Sequence, residues 1–378
     1  MKRLFLSTLC LLLSITLLPA QNEAEEATGE RTRRFEGTLG KDLGITMLIT
    51  EPSAYDESFT YSVEYFYHKT GLPITLVQDE KAENLAFREI GSYTADGEEV
   101  VTGRWSIVWE EDKISGTWTS PDGKKKLPVK LQESYPAGSV PLERVIISSS
   151  IVQQLGSRRS GSEKKVAFLR VPAEGSDALN KRLATLARDA ADSEHHVAAT
   201  LEAISKHLRT QVSEESKTDE GFLFTTEEDF RVRMNDNGFL TLEQWSYQFA
   251  GGAHGNHAST FHVLETATGR ALKLEELVKP GFEKKWASLG AAELRMSSGL
   301  KPDAPLTDAG LFEDKLELTK NWFLVPGGIG FNYPPYEIAS YATGPVEFIL
   351  PWKEIIGDLK PGTKVHAIAS KLVPAAKQ

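Results

Sequence analysis

The stretch WSYQFAGGAHGNH, residues 245–257, decides how the second half of the chain is read. Its first half alternates with the period of two that marks a strand. Its second half is a turn punctuated by Gly251, Gly252 and Gly255. That turn carries His254 and His257, two of the chain's eight histidines, followed by Asn256 and, further on, His262. A second irregular aromatic run, WFLVPGGIGFNYPPYEIASYATG, occupies residues 322–344. The two runs are expected to be built against each other.

Outward from there the pattern is mixed. Strands are expected at 230–234 and 239–247, joined around Asn237-Gly238, since Asn-Gly favours a tight turn. A strand at 257–266 turns at Thr268-Gly269-Arg270. A helix starts at 274–277 and resumes at 282–296. Strands at 322–325, 330–333 and 346–351 close the domain, with a helical turn at 352–359 and a last strand or tail at 365–372. Upstream, strand-like pieces at 145–153 and 165–170 flank the polar turn GSRRSGSE. After Ser176, a helix N-cap, Leu179, Leu183, Leu186, Ala190, Val197, Leu201, Ile204 and Leu208 form one apolar stripe of a long amphipathic helix. His195, His196 and His207 on or near that helix read as surface residues. Residues 143–372 are thus expected to be an α+β domain with the long helix packed across an antiparallel sheet.

The first half reads differently. Residues 34–133 look all-β, with strands at 35–39, 44–50, 59–67, 74–77, 85–90, 103–109, 113–119 and 127–132. Turn signals such as Asp96-Gly97 and Asp122-Gly123 separate them. Two Gly-x-Trp units, Gly103 to Trp105 and Gly116 to Trp118, are expected to lie side by side, with glycine giving room for an indole over the neighbouring strand. The tryptophans serve either core packing or a pocket wall. A small antiparallel barrel or sandwich fits. Residues 134–142, with two prolines and a glycine, are the linker.

At the amino terminus, Lys2 and Arg3 precede an apolar run and then Pro19-Ala20, the form of a secretory signal. Cleavage after Ala20 is expected, with residues 21–33 a polar, disordered lead-in. An uncleaved anchor is the rival reading. Cleavage takes the net charge from −10 to −12 and removes Cys10, the only cysteine, so no disulfide or thiol chemistry remains. The acidic balance speaks against nucleic acid, which needs a basic patch. No membrane span is expected after cleavage, and the location is periplasmic or extracellular.

The GGAHGN turn, the T-G-R turn, the LEEL helix start and the GFNYPPYEIASYATGP run together resemble one bacterial envelope module. It ends the extracellular part of RsiV-type anti-sigma factors, which act as lysozyme receptors, and it sits in non-catalytic regions of PdaC-type peptidoglycan deacetylases. The resemblance covers roughly residues 140–371. Gly251, Gly252, Ala253, His254, Gly255, Tyr333, Pro335, Tyr336 and Gly344 match its signature. It implies a binding role, with a lysozyme-like protein or peptidoglycan as partner. The expectation is of this module without the sigma-binding and deacetylase parts, so neither of those activities is carried over.

The chemistry of single residues is less decided. His254, His257 and His262 are the candidate metal ligands, with Glu243 or Glu265 as a carboxylate. A zinc site needs three or four ligands at defined distances, and a glycine turn fixes none. The alternative is that the glycines permit a sharp turn in which His254 bonds backbone. The sequence has no G-x-S-x-G elbow, HExxH, GxGxxG or Walker loop, so no catalytic residue and no cofactor follow. Pro334 and Pro335 stiffen the segment carrying Tyr333, Tyr336 and Tyr341. Stiff aromatic segments lose little entropy on binding, although tyrosines capping a core would look the same. The binding candidates are Gly251, Gly252, His254, Asn256, Tyr333, Tyr336 and Tyr341. Three readings stay open: a non-enzymatic envelope binding protein, a metal-assisted hydrolase of cell-wall material, and a structural scaffold.

Overall fold

The structure, a computed structural model, describes residues 25–51, 61–79, 85–93, 99–156, 158–191, 198–217 and 221–373. The expected signal at 1–20, His195, His196 and the Asp96-Gly97 turn lie outside them. Among the described residues no helix is long and apolar enough to cross a membrane.

Eight strands form the amino-terminal body. They are β1 (Glu25–Leu39), β2 (Leu43–Thr50), β3 (Ser62–Tyr67), β4 (Pro73–Gln78), β5 (Leu85–Tyr93), β6 (Glu99–Glu110), β7 (Lys113–Thr119) and β8 (Lys126–Glu133). Each is antiparallel to the next, and β8 returns to β1, so the sheet closes into a barrel. Closure leaves no edge within that ring. The interior holds alternate strand residues, among them Phe35, Met47, Tyr65, Phe87, Trp105, Ile107 and Leu131.

The Gly-x-Trp units do lie side by side, with Trp105 opposite Trp118. Gly103 gives the Trp118 indole its place, since a Cβ there would stand 2.1 Å from Nε1. Both indoles point at the buried Glu89 carboxylate, Trp118 Nε1 at 3.0 Å and Trp105 Nε1 at 3.2 Å. Tyr65 and Thr102 hydroxyls donate to the same carboxylate at 2.7 and 2.8 Å. Both tryptophans therefore belong to the packing of the barrel, tied to a carboxylate whose lone pairs are filled by neutral donors.

The strand β1 belongs to two structures. Its carboxy-terminal part pairs with β8 from Phe35 to Leu39, and its amino-terminal part pairs with β9 (Leu142–Leu155) from Glu25 opposite Ser148 to Thr32 opposite Leu142. Residues 25–32 are therefore strand, in place of the expected disordered lead-in. A ladder is made by backbone, and this stretch carries no apolar period for a sequence reading to find.

From β9 the sheet continues through β10 (Arg158–Arg170), β11 (Leu223–Asp236), β12 (Phe239–Phe249) and β13 (Asn256–Glu265), giving 13 strands in one hydrogen-bonded order. Most of GSRRSGSE lies inside β10 and is not a turn. Strands β10 and β11 are parallel, an exception to the antiparallel expectation. A parallel pair needs a long crossover, here made by α1 (Asp177–Ala191) and α2 (Leu201–Glu215). The single long helix expected here is thus two. Thr200 starts the second, its hydroxyl accepting from the Ala203 amide at 3.2 Å. Leu179, Leu183, Leu186, Ile204 and Leu208 bury one face of the pair against Val166, Phe230, Leu240 and Leu242.

The opposite face of the wide sheet carries the last layer. It contains α3 (Leu274–Leu277), α4 (Glu283–Ser297), β14 (Trp322–Val325), β15 (Gly328–Tyr333), β16 (Val346–Pro351), α5 (Trp352–Ile355) and α6 (Lys364–Leu372). Strands β14, β15 and β16 form a small antiparallel sheet. The Thr241 hydroxyl donates to the Leu324 carbonyl at 2.8 Å, and Phe261 stacks on Phe323 at 4.4 Å. The segment expected as a last strand or tail is α6, capped by Thr363 and burying Val365, Ile368 and Ala369 at helical spacing.

One side chain joins all three parts. A bulge between Val232 and Met234 interrupts the β11–β12 ladder at Arg233. Its guanidinium meets Glu64 of the barrel at 3.3 Å, Glu243 of β12 at 3.1 Å and Glu347 of β16 at 2.9 Å. The rings of Phe261 and Phe323 lie 5.7 and 5.3 Å from it.

One free edge of the wide sheet is β13, and an asparagine covers part of it. The Phe261 amide donates to Asn321 Oδ1 at 2.9 Å, and Asn321 Nδ2 donates to the Ser259 carbonyl at 2.8 Å. A side-chain amide thus stands where a neighbouring strand's peptide would. Asn321→Ala is expected to cost about 1–3 kcal/mol, the penalty of orphaned backbone groups. Thermal unfolding checks this, and an unchanged Tm would mean that water replaces the amide without loss.

Candidate functional site: an aromatic ledge at the sheet end

The two runs of the sequence meet at Tyr341. Its ring stacks on His254, with centroids 4.2 Å apart and planes 22° from parallel. The edge of His257 is 5.5 Å away, and Tyr336 is 5.7 Å away. The Tyr341 hydroxyl donates to the Gly255 carbonyl at 2.8 Å, and His254 Nδ1 donates to the same oxygen at 2.8 Å. This carbonyl and ring stack fasten the glycine turn to the proline-stiffened loop.

Local sequence explains the shape. Gly251 and Gly252 have φ of 90° and 98°, values other residues seldom adopt. Gly255 has no room for a side chain, because a Cβ would lie 2.4 Å from the Tyr247 ring. In the loop, the Glu337 amide donates to the Pro334 carbonyl at 3.1 Å and the Tyr336 amide to the Ala339 carbonyl at 2.9 Å. These turns hold Tyr336 at φ 72°, a left-handed conformation costly for a tyrosine, with 57% of the residue exposed. Such strain is characteristic of contact and ligand-clamping positions.

Of the expected binding residues, His254, Tyr336 and Tyr341 come together in the ledge. Asn256 is exposed at the start of β13, and Gly251 and Gly252 shape the turn before it. Tyr333 does not belong. It is 1% exposed, inside the core of the last layer, with its hydroxyl donating to the Glu317 carbonyl at 2.8 Å. It lies on β15, a strand buried on both faces, so its place in the aromatic run gave no sign of burial.

The three histidines do not converge as a ligand set. His254 is engaged by Tyr341, and His257 and His262 are five residues apart on β13, which sends them to opposite faces. His262 lies on the helix-facing side, where its Nε2 donates to Gln244 Oε1 at 2.9 Å. Gln244 Nε2 in turn donates to Glu228 at 3.0 Å. Burial, with help from the nearby Arg182 charge, pushes His262 down to about 4, so it is neutral at physiological pH. Burial pushes Glu228 up to about 7, against the Gln244 hydrogen bond. Among the described residues, no group of three or more His, Cys, Asp or Glu side chains could hold a metal ion.

Three residues escaped the sequence reading of the site. Trp245, Tyr247 and Phe249 follow one another on the face of β12 that also carries Glu243. Their signal was the alternation in the opening stretch itself. The rings of Trp245 and Tyr247 are 8° from parallel with centroids 6.1 Å apart, and Arg231 lies 5.2 Å over Trp245.

Comparison with known proteins bears on the layer that carries Tyr341. Residues 275–353 match the family DUF3298, a protein of unknown function. They are a DUF3298 domain. The match includes Tyr336 and Tyr341 and stops short of His254, so the ledge is built half inside that domain and half from the sheet before it. A DUF3298 family member from Bacteroides fragilis NCTC 9343 is similar in structure, with a TM-score of 0.53 and 20% identity. The likeness covers 62% of this chain and 99% of that one, and it establishes a shared fold. A DUF3298 family protein from Pseudomonas aeruginosa PAO1 gives a TM-score of 0.46 at 21% identity, over 60% of this chain and 96% of that one. No curated protein matches.

Proposed function

We propose that the protein is an exported envelope protein that acts by binding, with the ledge of His254, Tyr336 and Tyr341 as its contact surface. The observation that carries this reading is Tyr341 stacked on His254, with strained, exposed Tyr336 beside it. A rigid aromatic surface of this kind loses little entropy when a partner settles on it. The resemblance of the two runs to the RsiV and PdaC module supports a ligand from the envelope, either a lysozyme-like protein or peptidoglycan. The separated histidines give a metal-assisted hydrolase no support.

The test is binding of the purified protein to peptidoglycan sacculi and to a lysozyme, at low and moderate salt. Saturable binding that survives moderate salt, and weakens about tenfold or more in Tyr341→Ala, is the expected result. Binding that disappears with salt alone, and is indifferent to Tyr341, would be attraction between an acidic protein and a cation. That outcome would overturn the reading.

A further inference from the structure

Beyond the ledge, the face of β12 that carries Glu243 continues as a row of rings. Trp245, Tyr247 and Phe249 stand at i, i+2 and i+4, so all three point to one side. Further in, Phe239 and Thr241 on that side are buried against the last layer, whereas the three aromatics are only half-buried. At strand rise the row is about 13 Å long. Across β11 its neighbours are Asp229, Glu227 and Thr225, and across β13 they are Ser259 and His257. His257 leads directly to Tyr341.

The charges of this strip are matched. Asp229 takes Arg144 at 2.8 Å and Arg231 at 3.5 Å. Lys165 on β10 is the register neighbour of Glu227 on β11. What remains is part-exposed ring surface, with Arg231 over Trp245, Tyr247 against the Gly255 backbone and Phe249 against Phe222. Thr225, Glu227 and His257 border it, while Asp229 and Ser259 are buried. A strongly cationic protein would call for an acidic excess here, and a polyanion for a basic one. A neutral polyhydroxylated chain suits a balanced strip, because sugar rings present C–H faces to aromatic rings and hydroxyls to the polar borders.

We infer that the row Trp245–Tyr247–Phe249 is a glycan track: a linear cell-wall glycan strand lies along β12 on these rings and ends against the Tyr341 ledge. This rests on the binding role proposed above and names the ligand class and its direction.

Soluble N-acetylglucosamine oligomers of increasing length are the probe, read by tryptophan fluorescence and by competition for sacculi. Affinity is expected to rise with length and level off once the strip is filled. Trp245→Ala and Tyr247→Ala are each expected to weaken binding about tenfold. Trp245→Phe should keep binding and lose most of the fluorescence change, which separates ring contact from a folding defect. Equal affinity for monomer and longest oligomer would overturn the track. Sacculus or lysozyme binding that needs Tyr341, yet ignores Trp245→Ala and every oligomer, would also overturn it while leaving the ledge as the contact surface. Binding to neither sacculi nor lysozyme would overturn both.

Discussion

Arg233→Met is expected to destabilise the protein by about 3 kcal/mol at pH 7, because it leaves three half-buried carboxylates without their cation. Glu64, Glu243 and Glu347 converge on this one guanidinium from three separate elements. Burial pushes Glu243 up, but Arg233, helped by the Ser259 hydroxyl, brings it below its ordinary 4.5. Its contribution is therefore present above pH 4.5 and is lost as pH falls through the depressed value. Glu64 is raised by burial, which outweighs Arg233, with Glu347 and Glu243 adding to the rise. Its contribution has the opposite sign: fully present below pH 4.5 and lost as pH rises through the raised value. Without the arginine, Glu64 and Glu243 lose the charge that favours their ionised form. Urea unfolding should thus show a large loss at pH 7 and a smaller one at pH 4.5. An equal loss at both would assign the effect to packing against Phe261 and Phe323. No loss at pH 7 would mean that water already solvates the cluster.

The pair Glu228 and His262 sets a pH dependence of its own. Glu228 is raised from 4.5 to about 7, so the stability it allows is complete below pH 4.5 and lost as pH rises through about 7. His262 is lowered from 6.5 to about 4, so its contribution is present above pH 6.5 and lost as pH falls through about 4. Stability is squeezed from both sides. Glu228→Gln keeps an acceptor for the Gln244 amide and removes the ionisable group. It is expected to raise stability at pH 8 by roughly 3 kcal/mol and to change little at pH 4. Denaturation midpoints at the two pH values check this. A variant no more stable than the parent at pH 8 would show that Glu228 ionises at an ordinary carboxylate value.

Much of this fold was legible because pattern and geometry agree. Alternation at Trp105, Ile107 and Trp109 gave a barrel strand, and Asn237-Gly238, with φ of 53° and 83°, gave the β11–β12 turn. The failures share a cause, the sequence pattern being silent or shared between structures. The apolar stripe runs on through Ala190, Val197 and Leu201, so only the Thr200 cap marks two helices. Val365, Ile368, Ala369 and Leu372 do carry helical spacing, which their apolar density obscured. The ledge was foreseeable only in outline. Residues 254 and 341 are far apart in sequence, and nothing local specifies that their rings stack. Tyr333 and Tyr336 read alike in the run, yet one completes a buried strand and the other is turned outward by backbone in the left-handed region.

The sharing of β1 between barrel and wide sheet also orders events during synthesis. The carboxy-terminal half of β1 can pair with β2 almost as soon as it is made. Its amino-terminal half cannot finish until β9 exists, since Glu25 and its partner Ser148 are 123 positions apart. At translation rates of about 5–20 residues per second, that half waits on the order of ten seconds with both edges bare. A bare, apolar strand left that long would invite pairing with another chain. EEATGERT is instead dense in charge, with Glu25, Glu26, Glu30 and Arg31. The composition that hides this segment from a pattern search is what protects it while it has no partner.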